Sequence, residues 1–246
     1  MTMTSFIPIQ HGFHFPNRFV NDIRIADFSF TTSGRCGGMV YAALDYYNTG
    51  TIVPADKSLP ADGTTLAEYI WNRQEKSLED ILPDFVVKTI SPFESDHDRF
   101  MWGVHPQGQL SVLKKCVDSN RPVPLGLISV QRGFDGHHQV LGIGYDILGS
   151  REQDVRVHIY DSNYPDMVIT LIPDPSRNCF QASYGGGSLT HDIWRTYFVS
   201  GSYQCVKPPS GTFSLRLLSQ ARNLNFSTGV SHVFPGVKSL RSLRSC

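Results

Sequence analysis

At Pro122 the apolar residues change period, and that change limits the folds open to the chain. Before it, apolar positions recur every three or four residues, the signature of helices with one buried face. GRCGGMVYAALDYYNTG, residues 34 to 50, reads as a buried helix that starts near Cys36 and stops at Gly50, where a left-handed residue can end it. A second helix is expected from Thr65 to about Ser77, with Pro83 and Pro92 interrupting the less regular stretch beyond it, and a third over QGQLSVLKKCVD, residues 107 to 118. After Pro122 come short runs rich in β-branched and aromatic residues: PVPLGLISV, HQVLGIGYDI, DVRVHIYDS, MVITLIP and WRTYFVSGSY. Gly, Asp, Asn and Pro separate them, so they read as strands of one mostly antiparallel sheet. Helices first and strands second is an α+β arrangement, expected here as two lobes, about 1–121 and 122–205, with a cleft between them.

Composition excludes several classes. A chain of 246 residues with 40% hydrophobic and 18% charged residues can bury a core, which a disordered chain cannot. No apolar stretch approaches the roughly 20 residues needed to cross a bilayer. The start, MTMTSFIPIQHGFHF, lacks a basic opening followed by a continuous apolar run, so the expected location is the cytoplasm, or outside the cell by a route that needs no such signal. Five cysteines at irregular spacing, with no CxxC pair, indicate neither a disulfide framework nor a metal site, and no cofactor is expected. The balanced net charge conceals a split: residues 206–246 hold six basic and no acidic residues, leaving 16 basic against 22 acidic in 1–205. This basic C-terminal segment reads as a solvated tail or a partner-binding arm, and no motif for DNA or RNA accompanies it.

Three short segments carry chemistry. Cys36 stands where a helix begins, and the positive end of a helix lowers a thiol's pKa by stabilising the thiolate. Gly34, Gly37 and Gly38 around it remove side chains, which would admit a substrate backbone and leave N–H groups near the sulfur. His137 and His138 open the strand run GHHQVLGIGYD, where a base can face a cleft while the following residues are anchored in the sheet. Asp161 ends the run HIYDSNYP and could reach His138 across a neighbouring strand. Each has a plainer structural reading: a cysteine at a loop-to-helix junction, a structural histidine, an aspartate in a turn.

Together, in the order Cys36, His138, Asp161, these segments resemble the papain-like cysteine peptidases, and most closely the branch of bacterial double-glycine leader peptidases. The run from His138 to Tyr145, with the histidine six residues before a Gly-Tyr pair, is similar to the family's histidine strand and selects His138 over His137. Leu110 to Ile128 resembles the segment that precedes that strand, so the likeness spans roughly residues 30 to 165. It implies the papain-like α+β fold, with the Cys helix in a helical first lobe and His and Asp in a β second lobe. It further implies Cys36 as nucleophile, His138 as general base and Asp161 as the residue that orients the histidine.

Two departures accompany the likeness. The family carries a glutamine several residues before the cysteine as oxyanion donor, whereas this chain has DFSFTTSGR there. Ser33, Thr32, Gly37, Gly38, His137, Asn17 and Asn21 are the candidates to line that part of the cleft. Met39 stands where secreted members have a disulfide-forming cysteine. The implied activity is acyl transfer on a protein or peptide substrate, by hydrolysis and with a preference for paired glycines before the cut. A bacterial effector toxin, with an inhibitory or immunity protein as partner, fits such an enzyme. Two other functions use the same residues: a deamidase, transglutaminase or cell-wall amidase, and a binding module without catalysis.

Overall fold

A computed structural model describes residues 1–25, 28–90, 95–131, 136–151, 153–184 and 188–209. Strand β1 (Thr2–Met3) and a four-residue helical turn α1 (Pro8–His11) precede the hairpin of β2 (Val20–Ile25) and β3 (Phe28–Ser33). The helices α2 (Cys36–Thr49), α3 (Thr65–Ile90), α4 (Asp96–Val104) and α5 (Gln109–Asp118) come next. The chain then runs through β4 (Val123–Ser129), β5 (His138–Ile147), β6 (Val155–Tyr160), β7 (Ile169–Asp174), β8 (Cys179–Tyr184) and β9 (Leu189–Val199).

The expected papain-like pair of lobes is not what forms. Each strand from β4 to β9 runs antiparallel to the one before it, β9 returns to pair with β4, and β5 pairs with both β4 and β6. The six strands therefore close into an antiparallel barrel, which leaves no long open edge. Register shifts at Ile128/Ser129, at Gly142/Gly144 and at Gln181/Ser183 supply the local bends that closure needs. The N-terminal β1 also joins this sheet, pairing antiparallel with β5.

The helices pack onto the barrel instead of forming a separate body. Phe100 and Val104 of α4 and Leu110, Leu113 and Val117 of α5 share one core with Leu125, Leu127, Val140, Ile159 and Tyr197 of the strands. On the other face of β5, Leu141 and Ile143 pack with Tyr160 against the apolar side of α2 and the N-terminal Phe6, Phe13 and Phe15. Helix α3 reaches the barrel further along, where Ile81 and Phe85 meet Ile128 and Phe198. That packing overrides local propensity at Pro83, which lies inside α3 although a proline there removes one helical hydrogen bond. Pro92 lies outside the described residues.

Helix α2 ends as its sequence dictates: Gly50 has φ 64°, and its N–H returns to the carbonyls of Tyr46 and Tyr47. After β9 the chain crosses back over α2 and α3. The buried Asp45 accepts hydrogen bonds from the Tyr203 hydroxyl at 2.8 Å and the Val206 N–H at 3.0 Å, and pairs with Arg73 at 2.7 Å. The basic segment thus begins against the body of the protein, and its residues 210–246 lie outside the described residues. Among the described residues no helix is long and apolar enough to cross a membrane.

Candidate active site

The packing of α2 on β5 brings the three chemically marked residues together. Cys36 is the first residue of α2, and His138 is the first of β5. Asp161 comes directly after the last residue of the neighbouring β6. The His138 Nε2 lies 2.8 Å from Asp161 Oδ1, and the ring also hydrogen-bonds the Cys36 side chain. All three residues are buried, Cys36 at 5% exposure, His138 at 4% and Asp161 at 3%, so little water competes for these contacts.

The electrostatics favour a charged histidine. Burial is the largest single influence on His138 and opposes protonation. The charge and hydrogen bond of Asp161, with the Cys36 contact, outweigh it and hold the imidazole well above the usual histidine range. A histidine kept protonated beside a thiol at a helix N terminus is the arrangement that yields thiolate at neutral pH.

No local pattern marks the groups that hold this trio in place. The indole of Trp194, from β9, stacks on His138 with centroids 5.7 Å apart and planes 17° from parallel. The Asn163 N–H donates to Asp161 Oδ1 at 2.8 Å, and Asn163 Nδ2 lies 3.5 Å from His138 Nε2. Arg35 is buried beside Cys36: its guanidinium donates to Asn21 Oδ1 at 2.6 Å, the Ala67 carbonyl at 3.1 Å and Asp62 Oδ1 at 2.7 Å, and lies over the Phe19 ring. Barrel closure sets Trp194 beside His138 although the two are far apart in the chain.

His137, beside the histidine of the trio, does other work. It stacks on Phe85 at 4.9 Å and accepts the Ser129 N–H through Nδ1 at 3.1 Å. Gly38 faces α3: a Cβ there would come within 2.2 Å of the Ile70 carbonyl, and its N–H donates to Gln74 Oε1 at 2.8 Å. Gly37 faces Ser77 and Gln139. These two glycines serve close helix packing, which orients the first turn of α2. Ser33 and Thr32 belong to β3, whose side chains lie outside the described residues.

Among the described residues no group of three or more His, Cys, Asp or Glu could hold a metal. A cavity of about 390 Å³ lies away from the trio, between α5 and the turn that joins β5 to β6. Comparison of the chain with protein-family models, with curated proteins and with solved structures gives no match.

Proposed function

We propose that this protein is a cysteine peptidase that works through an acyl-enzyme. The observation that supports it most is the buried His138, bonded to Asp161 on one side and to the Cys36 side chain on the other, at the start of α2. The order of these residues keeps the likeness to the double-glycine leader peptidases as part of the proposal, although the barrel replaces the expected pair of lobes.

The chemistry is that of a thiolate and an acid held side by side. The Cys36 thiolate attacks the carbonyl carbon, a C–S bond forms, and the carbonyl electron pair moves to oxygen. Collapse restores the C=O and breaks the C–N bond, and the leaving amine takes its proton from His138. A water that gives its proton to His138 then cleaves the thioester, releasing the acid and regenerating the thiolate–imidazolium pair. Asp161 keeps the ring oriented throughout and favours its charged form before the attack and after the thioester is cleaved. The small exposure of Cys36 and His138 favours a narrow approach, which suits an extended peptide with glycines before the cut.

Mass spectrometry of a bacterial proteome incubated with wild type and with Cys36→Ala tests the proposal. New termini at a shared motif, found with wild type only, support the peptidase. Gln-to-Glu conversion or new isopeptide cross-links in place of new termini would assign the trio to a deamidase or transglutaminase. Identical digests from the two proteins would refute catalysis by Cys36.

A further inference from the structure

A thiolate attacking a carbonyl needs two hydrogen-bond donors where the oxyanion forms. The segment just before Cys36 in sequence contains no amide side chain to act beside the backbone at the start of α2. The hairpin β2–β3 accounts for this. Val20 pairs with Ser33, and the Gly34 N–H donates to the Phe19 carbonyl at 2.6 Å, so the hairpin is looped out of a chain that otherwise continues from Phe19 to Gly34. Along that shortened path, Asn17 stands a few residues ahead of the nucleophile.

Two asparagines reach the loop, and their bonding separates them. Asn21 is buried and spends both ends of its amide on structure: Nδ2 donates to the Gly34 carbonyl at 2.8 Å, and Oδ1 accepts from Arg35 Nε at 2.6 Å. Asn17 is half-buried, and its backbone N–H donates to the Ser162 carbonyl, one residue past Asp161, at 3.0 Å. Its Oδ1 accepts the Arg35 N–H at 2.6 Å, which fixes the plane of the amide, while Nδ2 has no acceptor among the described residues. Gly34, at φ 84°, leaves the space beside Nδ2 clear, since a Cβ there would lie 2.7 Å from that nitrogen.

Resting on the acyl-transfer reading, we propose that Asn17 is a catalytic residue, the side-chain donor of the oxyanion hole, with the Cys36 backbone N–H as its companion. When Cys36 Sγ bonds to the carbonyl carbon and the electron pair moves to oxygen, Asn17 Nδ2–H and Cys36 N–H bond the oxyanion. As the C=O reforms and the leaving group departs, those bonds weaken again.

Asn17→Asp separates this role from a structural one, because aspartate keeps an oxygen for the Arg35 N–H and loses the N–H donor. Acylation is read as release of 4-nitrophenolate from 4-nitrophenyl acetate, and thiolate integrity as alkylation of Cys36 by iodoacetamide, which displaces iodide and forms no oxyanion. Both are measured from pH 5 to 9, so that any effect of the added charge on the thiol is seen directly. We expect wild type and Cys36→Ala to differ, and Asn17→Asp to lose about 100- to 1,000-fold in kcat for acylation while its pH-independent alkylation rate stays within a few-fold of wild type. Asn17→Ala should lose at least as much. Acylation by Asn17→Asp within a few-fold of wild type, or acylation and alkylation lost in parallel, would overturn the assignment and leave the peptidase reading standing. Absence of any Cys36-dependent release from wild type would overturn both.

Discussion

Gly38→Ala measures how closely α2 and α3 must approach to set the nucleophile. An alanine Cβ would sit 2.2 Å from the Ile70 carbonyl oxygen and 2.9 Å from both the Gln74 N and its Cβ, distances that real Cβ atoms do not tolerate. Two of these obstacles are backbone atoms, so no rotamer change removes them and the helices must separate. Overpacking of this kind costs about 3 kcal/mol at the upper end, and the better helix propensity of alanine returns about 1. The net loss of about 2 kcal/mol corresponds to roughly 4–8 °C in Tm for a domain of this size. Urea unfolding of wild type, Gly38→Ala and a Gly201→Ala control, where nothing lies within 4 Å of the added carbon, gives the comparison. A lowered midpoint at unchanged slope in Gly38→Ala alone is expected. If Gly38→Ala unfolds at the wild-type midpoint, the contact between the helices is looser than described, and Gly38 is free to serve substrate instead.

The trio and its supports give further expected outcomes. Asp161→Ala removes the charge that opposes burial at His138, so the histidine pKa should fall and the alkaline limb of the pH–activity profile move to lower pH; an unmoved limb would refute the role of Asp161. Asp161→Asn, which keeps a carbonyl acceptor for the ring, should retain more activity than Asp161→Ala at a single pH. Because His138 is raised in the folded state, its stabilising contribution is complete below the unfolded value of about 6.5 and disappears as pH rises through the folded value, which unfolding of wild type and Asp161→Ala across pH should show. His137→Ala loses the Phe85 stack and the acceptor for the Ser129 N–H, a cost of about 1–3 kcal/mol in stability, while the folded fraction keeps its activity and His138→Ala abolishes it. Asp45→Ala leaves Arg73 buried without its carboxylate, at a cost of about 3–5 kcal/mol, and should expose residues 203–206 to limited proteolysis.

Much of the element order is legible in the chain because periodicity is local. HQVLGIGYDI forms β5 from His138 to Ile147, and the helix read from GRCGGMVYAALDYYNTG spans Cys36–Thr49 with Gly50 at its end. Barrel closure is not legible, since it depends on β9 returning to β4 and on strand bends that have no periodic mark. The strand CFQASY mixes polar and apolar residues and carries no alternation to announce β8. Helix α4 does carry a sign, the Ser95–Asp98 capping box, in a stretch whose prolines make it look irregular. At the site, the likeness in residue order to the leader peptidases points to Cys36, His138 and Asp161, which the fold brings together. The supports are hidden: Trp194 arrives through barrel closure, and Asn17 is separated from Cys36 by a hairpin that only the fold removes.

Cys36 as an activated nucleophile paired with a charged His138 is the claim on which the rest depends. Alkylation by limiting iodoacetamide at pH 6, with each cysteine followed by peptide mass spectrometry, tests it most directly, because exposure and activation predict opposite orders. Cys205 is exposed and Cys116 partly so, whereas Cys36 is buried. Activation predicts that Cys36 reacts first in wild type and loses that lead in His138→Ala. If Cys205 and Cys116 react ahead of Cys36 in wild type, exposure alone governs the thiols and the activated pair is contradicted.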